Sequence, residues 1–214
     1  MADRFPGYDV LAKRRTPSWN EATRRVIDRR LATPRQPRFF TAAEWRTLEA
    51  LCDRILPQPT DRPPVPIAAL LDAKLYDGAT EGFTIGPVPH DPEAWRIGLA
   101  ALDAEARAAH GKAFHELAAD QEDALLTRAQ RGELAGATWH GMPSDLFFGK
   151  RVLGDIPAAY YAHPTAWNEI GFGGPASPRG YVRMALDRRD PWEAAEAAPG
   201  QEAEAHRKNR RVGR

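Results

Sequence analysis

Apolar residues recur at helical spacing in several segments of this chain, and glycine or proline closes most of these segments. The clearest example follows residues 41–44, Thr-Ala-Ala-Glu, which have the spacing of a capping box at a helix start. Its apolar stripe consists of Trp45, Leu48, Cys52 and Ile55. Because this repeat fits one helix face and no alternating β-branched run competes with it, the sequence predicts an all-α fold.

Further helices are predicted downstream by the same pattern. One covers 67–75, another has Asp91 as its N-cap and ends at Gly111, a third begins near Asp120, and a last one covers 144–153 and resumes at 158–160. Together these segments predict a compact, irregular helical domain.

Charge is divided unevenly along the chain. Residues 1–38 contain ten Lys or Arg and four Asp or Glu, a local net charge of +6, although the whole chain carries only +1. Residues 201–214 add a net +3, which leaves an acidic body. The sequence therefore divides into an extended basic N-terminal arm (1–38), a helical domain (39–185) and a charged C-terminal tail (186–214), whose end we expect to be disordered.

The basic arm contains a short apolar stripe between two prolines. The stripe consists of Trp19, Val26, Ile27 and Leu31. The arm has too few apolar residues to form a core of its own, so we expect it either to stay solvated or to dock on another surface. The stripe favours docking.

Residues 160–175 have an unusual composition for a soluble chain. Five aromatic or imidazole side chains lie beside several glycines and prolines, with almost no charge. No helical or strand period fits the segment, which predicts a long irregular loop. Since leaving Trp and Phe in water is unfavourable, we expect this loop to pack against the chain's own core or a partner protein.

Four segments, in this order, resemble the gluconate 2-dehydrogenase subunit 3 family over roughly 39–185. They are residues 39–44 leading to 51–57, Phe114-His115-Glu116-Leu117 with Gln121 and Leu125-Leu126, the pair Phe147-Phe148, and Trp167-Asn168-Glu169-Ile170-Gly171-Phe172-Gly173-Gly174-Pro175. The resemblance implies a small, non-catalytic subunit. Its partner would be a large FAD-containing oxidoreductase of the glucose–methanol–choline type that oxidises a sugar, glycoside or polyol.

In many members of that family, the small subunit carries a twin-arginine export signal. Here Arg14-Arg15 is followed by the polar residues 16–21, without the apolar run that a signal needs. We therefore expect a cytoplasmic protein, or a periplasmic one only if the partner supplies the signal. No membrane span is predicted, because no apolar run is long enough.

The sequence assigns no catalytic, cofactor-binding or metal-binding residue to this chain. The six histidines lack zinc-helix spacing, and Cys52, the single cysteine, lies in an apolar helical pattern typical of a buried structural thiol. No Gly-x-Gly-x-x-Gly follows a strand, so the FAD is expected in the partner subunit.

The arm and the 160–175 segment supply the predicted partner interface. Its residues are Trp19, Arg24, Ile27, Tyr160, Tyr161, Trp167, Asn168 and Phe172. Trp, Tyr and Arg are enriched among interface anchors, although Trp167 and Phe172 fit the chain's own core equally well. Two other functions stay open: a nucleic-acid-binding module that uses the basic arm, and an unrecognised metal-dependent enzyme.

Overall fold

The computed structural model describes residues 3–60, 62–80, 82, 86–176, 178–180, 190 and 192–212. Over these residues the chain forms nine α-helices and no strand, which confirms the all-α prediction. The helices are α1 (Glu21–Leu31), α2 (Ala42–Ile55), α3 (Ile67–Tyr76), α4 (Asp91–His110), α5 (Ala119–Gln130), α6 (Ser144–Leu146), α7 (Leu153–Ala162), α8 (Trp167–Ile170) and α9 (Glu202–Asn209). None of them is both long and apolar enough to span a bilayer.

Local sequence signals place the boundaries of α2 and α4. At the start of α2, the Glu44 N–H donates to Thr41 Oγ1 and the Thr41 N–H donates to Glu44 Oε2, which completes the predicted capping box. Helix α4 ends at Gly111, which has the left-handed conformation (φ 70°) of a C-cap. The prediction of Asp91 as the N-cap of α4 is wrong: His90 holds that position, and the Asp91 carboxylate is turned into the interior.

The segment after α6 also differs from the prediction. A π-helical stretch, Phe147–Val152, joins α6 directly to α7, so the chain is helical from 144 to 162. The sequence suggested a break near 153 because Pro157, inside α7, removes a backbone donor. Wider turns of this kind are frequently found at functional or strained positions in helices.

The chain divides into two compact units. Residues 33–160 form the central unit, and residues 1–32 and 161–214 together form the terminal unit. This division differs from the predicted arm, domain and tail, because the arm and the C-terminal segment share one unit. The predicted tail includes helix α9, and its expected disordered end falls partly on residues 213–214, outside the described residues.

The central unit has a core of large apolar side chains around α4. Trp95 packs edge-on against Phe147 at a centroid distance of 5.6 Å, and Trp139 packs against the other side of Phe147 at 5.9 Å. Gly98 lies under the same ring: a Cβ at that position would come within 2.1 Å of Phe147 Cζ. This glycine therefore allows the phenylalanine to approach the helix backbone.

Candidate functional site

The Trp167–Pro175 motif begins as a short helix rather than as a loop. Helix α8 covers Trp167–Ile170 and follows a 3₁₀ turn at Pro164–Ala166. Gly171 closes it in the left-handed conformation (φ 65°). The prediction of irregular structure is therefore wrong for 160–170, because these helices are too short to show a sequence period. It agrees with the structure from Phe172 to Ala176, which has no regular structure.

Trp167 belongs to the core of the terminal unit. Its ring is 3% exposed, its indole N–H donates to the Tyr161 carbonyl, and it packs edge-on against Phe172 at 5.2 Å. The core also includes side chains from the N-terminal arm and from the C-terminal tail. Its buried members are Phe5, Tyr8, Val10, Trp19, Ile27, Trp167, Ala194 and Val212.

Hydrogen bonds fix the arm to the Trp167–Pro175 motif. The Val10 N–H donates to Asn168 Oδ1 at 2.9 Å, and the Lys13 ammonium donates to the Gly173 carbonyl at 3.0 Å. The Tyr8 hydroxyl donates to the Phe172 carbonyl at 3.2 Å. The arm lacks enough apolar residues for a separate core, as the sequence indicates, but it is not a solvated tail, because distant residues complete its core.

The eight predicted interface residues fall into three classes of exposure. Four are buried in the chain itself (Trp19, Ile27, Tyr160 and Trp167), two are half-buried (Arg24 and Asn168), and two are exposed (Tyr161 and Phe172). Arg24 donates to the Trp19 carbonyl at 2.8 Å, which fixes its guanidinium beside the arm. Contact of these eight residues with a partner stays a prediction. The four buried side chains already pack against other residues of this chain.

The sequence reasoning missed a buried ion network in the central unit. Arg151, on the π-helical stretch, places Nη1 2.7 Å from Asp91 Oδ1 and 3.6 Å from Asp155 Oδ2. All three side chains are 4% exposed or less. Lys74 Nζ lies 3.0 Å from Asp155 Oδ1, and the Trp95 indole N–H donates to Asp155 Oδ2 at 2.8 Å.

This network matches two carboxylates with two cations, so it can be buried without a net charge. Removing one partner of such a pair leaves an uncompensated buried charge, which is strongly destabilising. The network joins α3, α4 and α7 through the π-helical stretch, and we interpret it as a structural clamp. Only the i, i+4 spacing of Arg151 and Asp155 is visible in the sequence, since Lys74 and Asp91 come from two other helices.

A second buried carboxylate organises the segment before α2. Asp72 on α3 accepts hydrogen bonds from the backbone N–H groups of Arg38, Phe39 and Phe40 at 2.9 to 3.0 Å. These donors precede the capping box, so Asp72 fixes the direction in which the chain enters α2.

Titratable side chains in the central unit have shifted pKa values because of burial. Cys52 is buried, as predicted, and burial raises the pKa of its thiol far above the ordinary value. Burial also raises the pKa of the Glu122 carboxyl, although Arg54 opposes the shift. Across the described ranges, no group of three or more His, Cys, Asp or Glu side chains is arranged to hold a metal ion.

Comparison with known protein families agrees with the resemblance seen in the motifs. The family model of gluconate 2-dehydrogenase subunit 3 matches residues 42–174, which include the whole of α2 to α8. No curated protein and no solved structure matches the chain. Since the matched region covers more than half of its length, the chain belongs to the gluconate 2-dehydrogenase subunit 3 family, a family of small subunits of dehydrogenase complexes.

Proposed function

We propose that this chain is a non-catalytic small subunit that binds and stabilises a large FAD-dependent oxidoreductase of the glucose–methanol–choline type. The observation that carries the proposal is the family match over residues 42–174. The large subunit would hold the FAD and act on a sugar or glycoside, and this chain would contribute contact surface rather than reacting groups.

The exposed aromatic side chains of the terminal unit support a specific contact surface. Tyr161, Ile170 and Phe172 are 42%, 46% and 41% exposed, and all three flank the buried Trp167. Large apolar side chains gathered on a rigid support are typical of interface anchors. We propose that these three residues contact the large subunit, with Arg24 at the edge, while Trp19, Ile27 and Trp167 support the surface from inside.

The surface can be tested with matched aromatic substitutions. Tyr161→Ala combined with Phe172→Ala should weaken association with the flavoprotein by about 30-fold, since truncated anchors commonly reduce binding by ~2 kcal/mol or more. Tyr76→Ala is the control, because Tyr76 is even more exposed (56%) but lies on α3 of the central unit. Equal affinities for the double variant and the unsubstituted chain would contradict the proposed surface.

A separate experiment tests whether the FAD and the oxidation activity belong to the large subunit alone. The purified chain alone should bind no FAD and oxidise no sugar, whereas the chain copurified with its partner should be yellow. Mass spectrometry of the copurified material identifies the partner. A stoichiometric flavin on the isolated chain, or copurification with nucleic acid instead of a flavoprotein, would contradict the proposal.

We also propose that the complex is cytoplasmic. Arg14 and Arg15 belong to the 3₁₀ turn Val10–Arg15 of the terminal unit, where Arg14 pairs with Asp28 at 2.7 Å. Residues 16–21, which follow this turn, are mostly polar and lack the apolar run that an export signal needs, which supports retention. Cell fractionation checks it, and a processed periplasmic form would contradict it.

A further inference from the structure

The terminal unit contains a small cavity next to residues 173–175, and polar side chains contribute to its lining. Its volume is about 20 Å³, which is enough for one water-sized group. The buried side chains of Lys13, Ser18 and Trp19 form its floor. Arg179, Trp192 and Glu193, all half-buried, form its rim.

Two polar atoms on the floor of the cavity have no hydrogen-bond partner. Neither the Trp19 indole Nε1 nor the Ser18 hydroxyl is paired with any group among the described residues, although both atoms are buried. An unpaired buried donor loses its contact with water without compensation, which is unfavourable. Since an indole N–H can only donate, the missing partner must be an acceptor.

Lys13 adds a buried positive charge to these donors. Its side chain is 1% exposed, and the ammonium, which has three donors, gives one hydrogen bond to the Gly173 carbonyl. The Tyr8 ring lies 5.7 Å from the same nitrogen. The residues that form the floor therefore carry three kinds of donor and a full positive charge.

The rim carries one charge of each sign. The Arg179 guanidinium stacks on the Trp192 ring at 4.3 Å, and the Glu193 carboxylate accepts a hydrogen bond from the Asp190 N–H at 2.6 Å. These two charges offset each other, so the cavity as a whole has the net charge of Lys13. A single negative charge would balance it.

Two glycines beside the cavity leave room for the Lys13 and Trp19 side chains. A Cβ at Gly173 would lie 3.1 Å from Lys13 Nζ, and a Cβ at Gly174 would lie 2.9 Å from Trp19 Cζ2. Any side chain at either position would therefore press on one of the donors. Gly174 also has a φ of 74°, which disfavours other residues.

The electrostatics of Lys13 agree with an unfilled acceptor position. Burial, and then the positive charge of Arg179, lowers the pKa of Lys13 to about 8, while Glu193 acts in the opposite direction. An anion in the cavity would favour the charged ammonium and reverse this shift.

We propose that this cavity binds a small monovalent anion, best fitted by a carboxylate group, which accepts hydrogen bonds from the Lys13 ammonium, the Trp19 indole N–H and the Ser18 hydroxyl. The cavity volume admits one carboxylate oxygen, and the rest of the ligand would extend toward the rim at Arg179 and Trp192. This site is independent of the proposed partnership with a flavoprotein.

The test is a titration of the full chain with sodium formate, with ionic strength held constant by sodium sulfate. The Trp19 indole ¹H–¹⁵N signal, assigned with Trp19→Phe, should move in a saturable manner while the other indole signals stay in place. Parallel titrations with chloride and acetate distinguish a halide from a carboxylate, and saturation by any of the three supports a monovalent anion site. Phosphate binding more tightly than all of them would overturn the proposal.

Variants of the floor residues complete the test. Lys13→Met should weaken formate binding at least tenfold, whereas Lys112→Met, at an exposed position, should leave it unchanged. If Lys13→Met does not fold by circular dichroism, Ser18→Ala provides the smaller change and should weaken binding about threefold to tenfold. The absence of a saturable shift up to 100 mM with formate, acetate and chloride alike, or a shift that Lys13→Met or Ser18→Ala leaves intact, would overturn the proposal.

Discussion

Lys13 illustrates how a folded environment changes a common side chain. In the folded protein burial lowers the pKa of Lys13 to about 8, because it disfavours the charged ammonium, whereas the ordinary pKa of 10.5 applies to the unfolded chain. Between these pH values the unfolded state binds more protons, so the free energy of unfolding gains a contribution that rises with pH. Below pH 8 both states are charged and this contribution is flat.

The first prediction concerns this pH dependence. Urea titrations in sulfate buffer should show that Lys13→Met removes a rise in the free energy of unfolding between pH 8 and 10.5. Lys112→Met should keep the rise, since Lys112 is exposed. The slope over this pH range is the informative quantity, because Lys13→Met also removes the hydrogen bond to Gly173 and changes the overall level. Parallel slopes in all three proteins would contradict the low pKa.

Asp72 carries the second prediction at the scale of a residue. Asp72→Ala removes the acceptor of three backbone donors, of which the Phe40 N–H is buried and the other two are partly buried, so it should lower the free energy of unfolding by about 3 kcal/mol. Asp72→Asn keeps one acceptor oxygen and should lower it less. The control is Asp77→Ala, at a largely exposed carboxylate 3.9 Å from Arg38, which should have an effect below ~0.5 kcal/mol. Chemical denaturation compares the three variants, and similar stabilities for Asp72→Ala and Asp77→Ala would refute this assignment.

At the scale of elements, α4 and the π-helical stretch are joined by the contact of Gly98 with Phe147. Gly98→Ala would normally favour the helix, but the new Cβ would overlap the Phe147 ring, so we expect a loss of ~1–3 kcal/mol. Gly154→Ala on α7, where no heavy atom lies within 4 Å of the added Cβ, should instead gain up to ~1 kcal/mol.

Thermal unfolding of the two alanine variants checks whether Gly98→Ala lowers stability while Gly154→Ala raises it. Combining Gly98→Ala with Phe147→Leu should lose less than the sum of the two single changes, because the smaller side chain relieves the overlap. Two stabilising variants, or strictly additive losses, would show that the ring can move away from α4 without penalty.

Elements defined by neighbouring residues were predictable from the sequence, and those defined by distant residues were not. The capping box of α2 and the Gly111 end of α4 involve side chains within four positions, so the sequence shows them directly. Asp91 was misassigned as an N-cap because its partner, Arg151, lies on another helix. The short helices at 164–170 were not predicted, because fewer than two helical turns give no measurable period of apolar residues.

The candidate site was less predictable than the fold for the same reason. The sequence leaves open whether Trp167 and Phe172 are buried, and the folded arm buries Trp167 while Phe172 stays exposed. The bond between Lys13 and Gly173 spans 160 residues of sequence, and no local pattern indicates it. The Ser18 hydroxyl and the Trp19 indole N–H are distinguished only by the lack of a hydrogen-bond partner within the described part of the chain, which no sequence pattern predicts.

At the scale of the whole molecule, the two ends of the chain build the terminal unit together. The family match begins at residue 42 and ends at 174, so it covers all but the first nine residues of the central unit and only residues 161–174 of the terminal unit. The arm, which lies outside the match, supplies five of the eight buried core residues.

The arm should therefore be required for the stability of the isolated chain. Deleting residues 1–32 uncovers Trp167, Ala194 and Val212, so the shortened chain should bind a hydrophobic dye and become sensitive to protease near the C-terminal tail. Adding a peptide of residues 3–32 should restore protection, whereas the same peptide with Trp19→Ala should not. Full protection of the shortened chain without any peptide would show that the arm is dispensable.

The divided terminal unit also sets an order of events during synthesis. The central unit is continuous in sequence and can form as it leaves the ribosome, but Phe5, Trp19 and Ile27 have to wait until Val212 has been added. At ordinary translation rates of ~5–20 residues per second, this interval lasts roughly 10 to 40 s. Throughout that interval the nascent chain carries an uncovered aromatic and aliphatic stripe beside a dense row of arginines, which makes the emerging arm a natural binding segment for a chaperone.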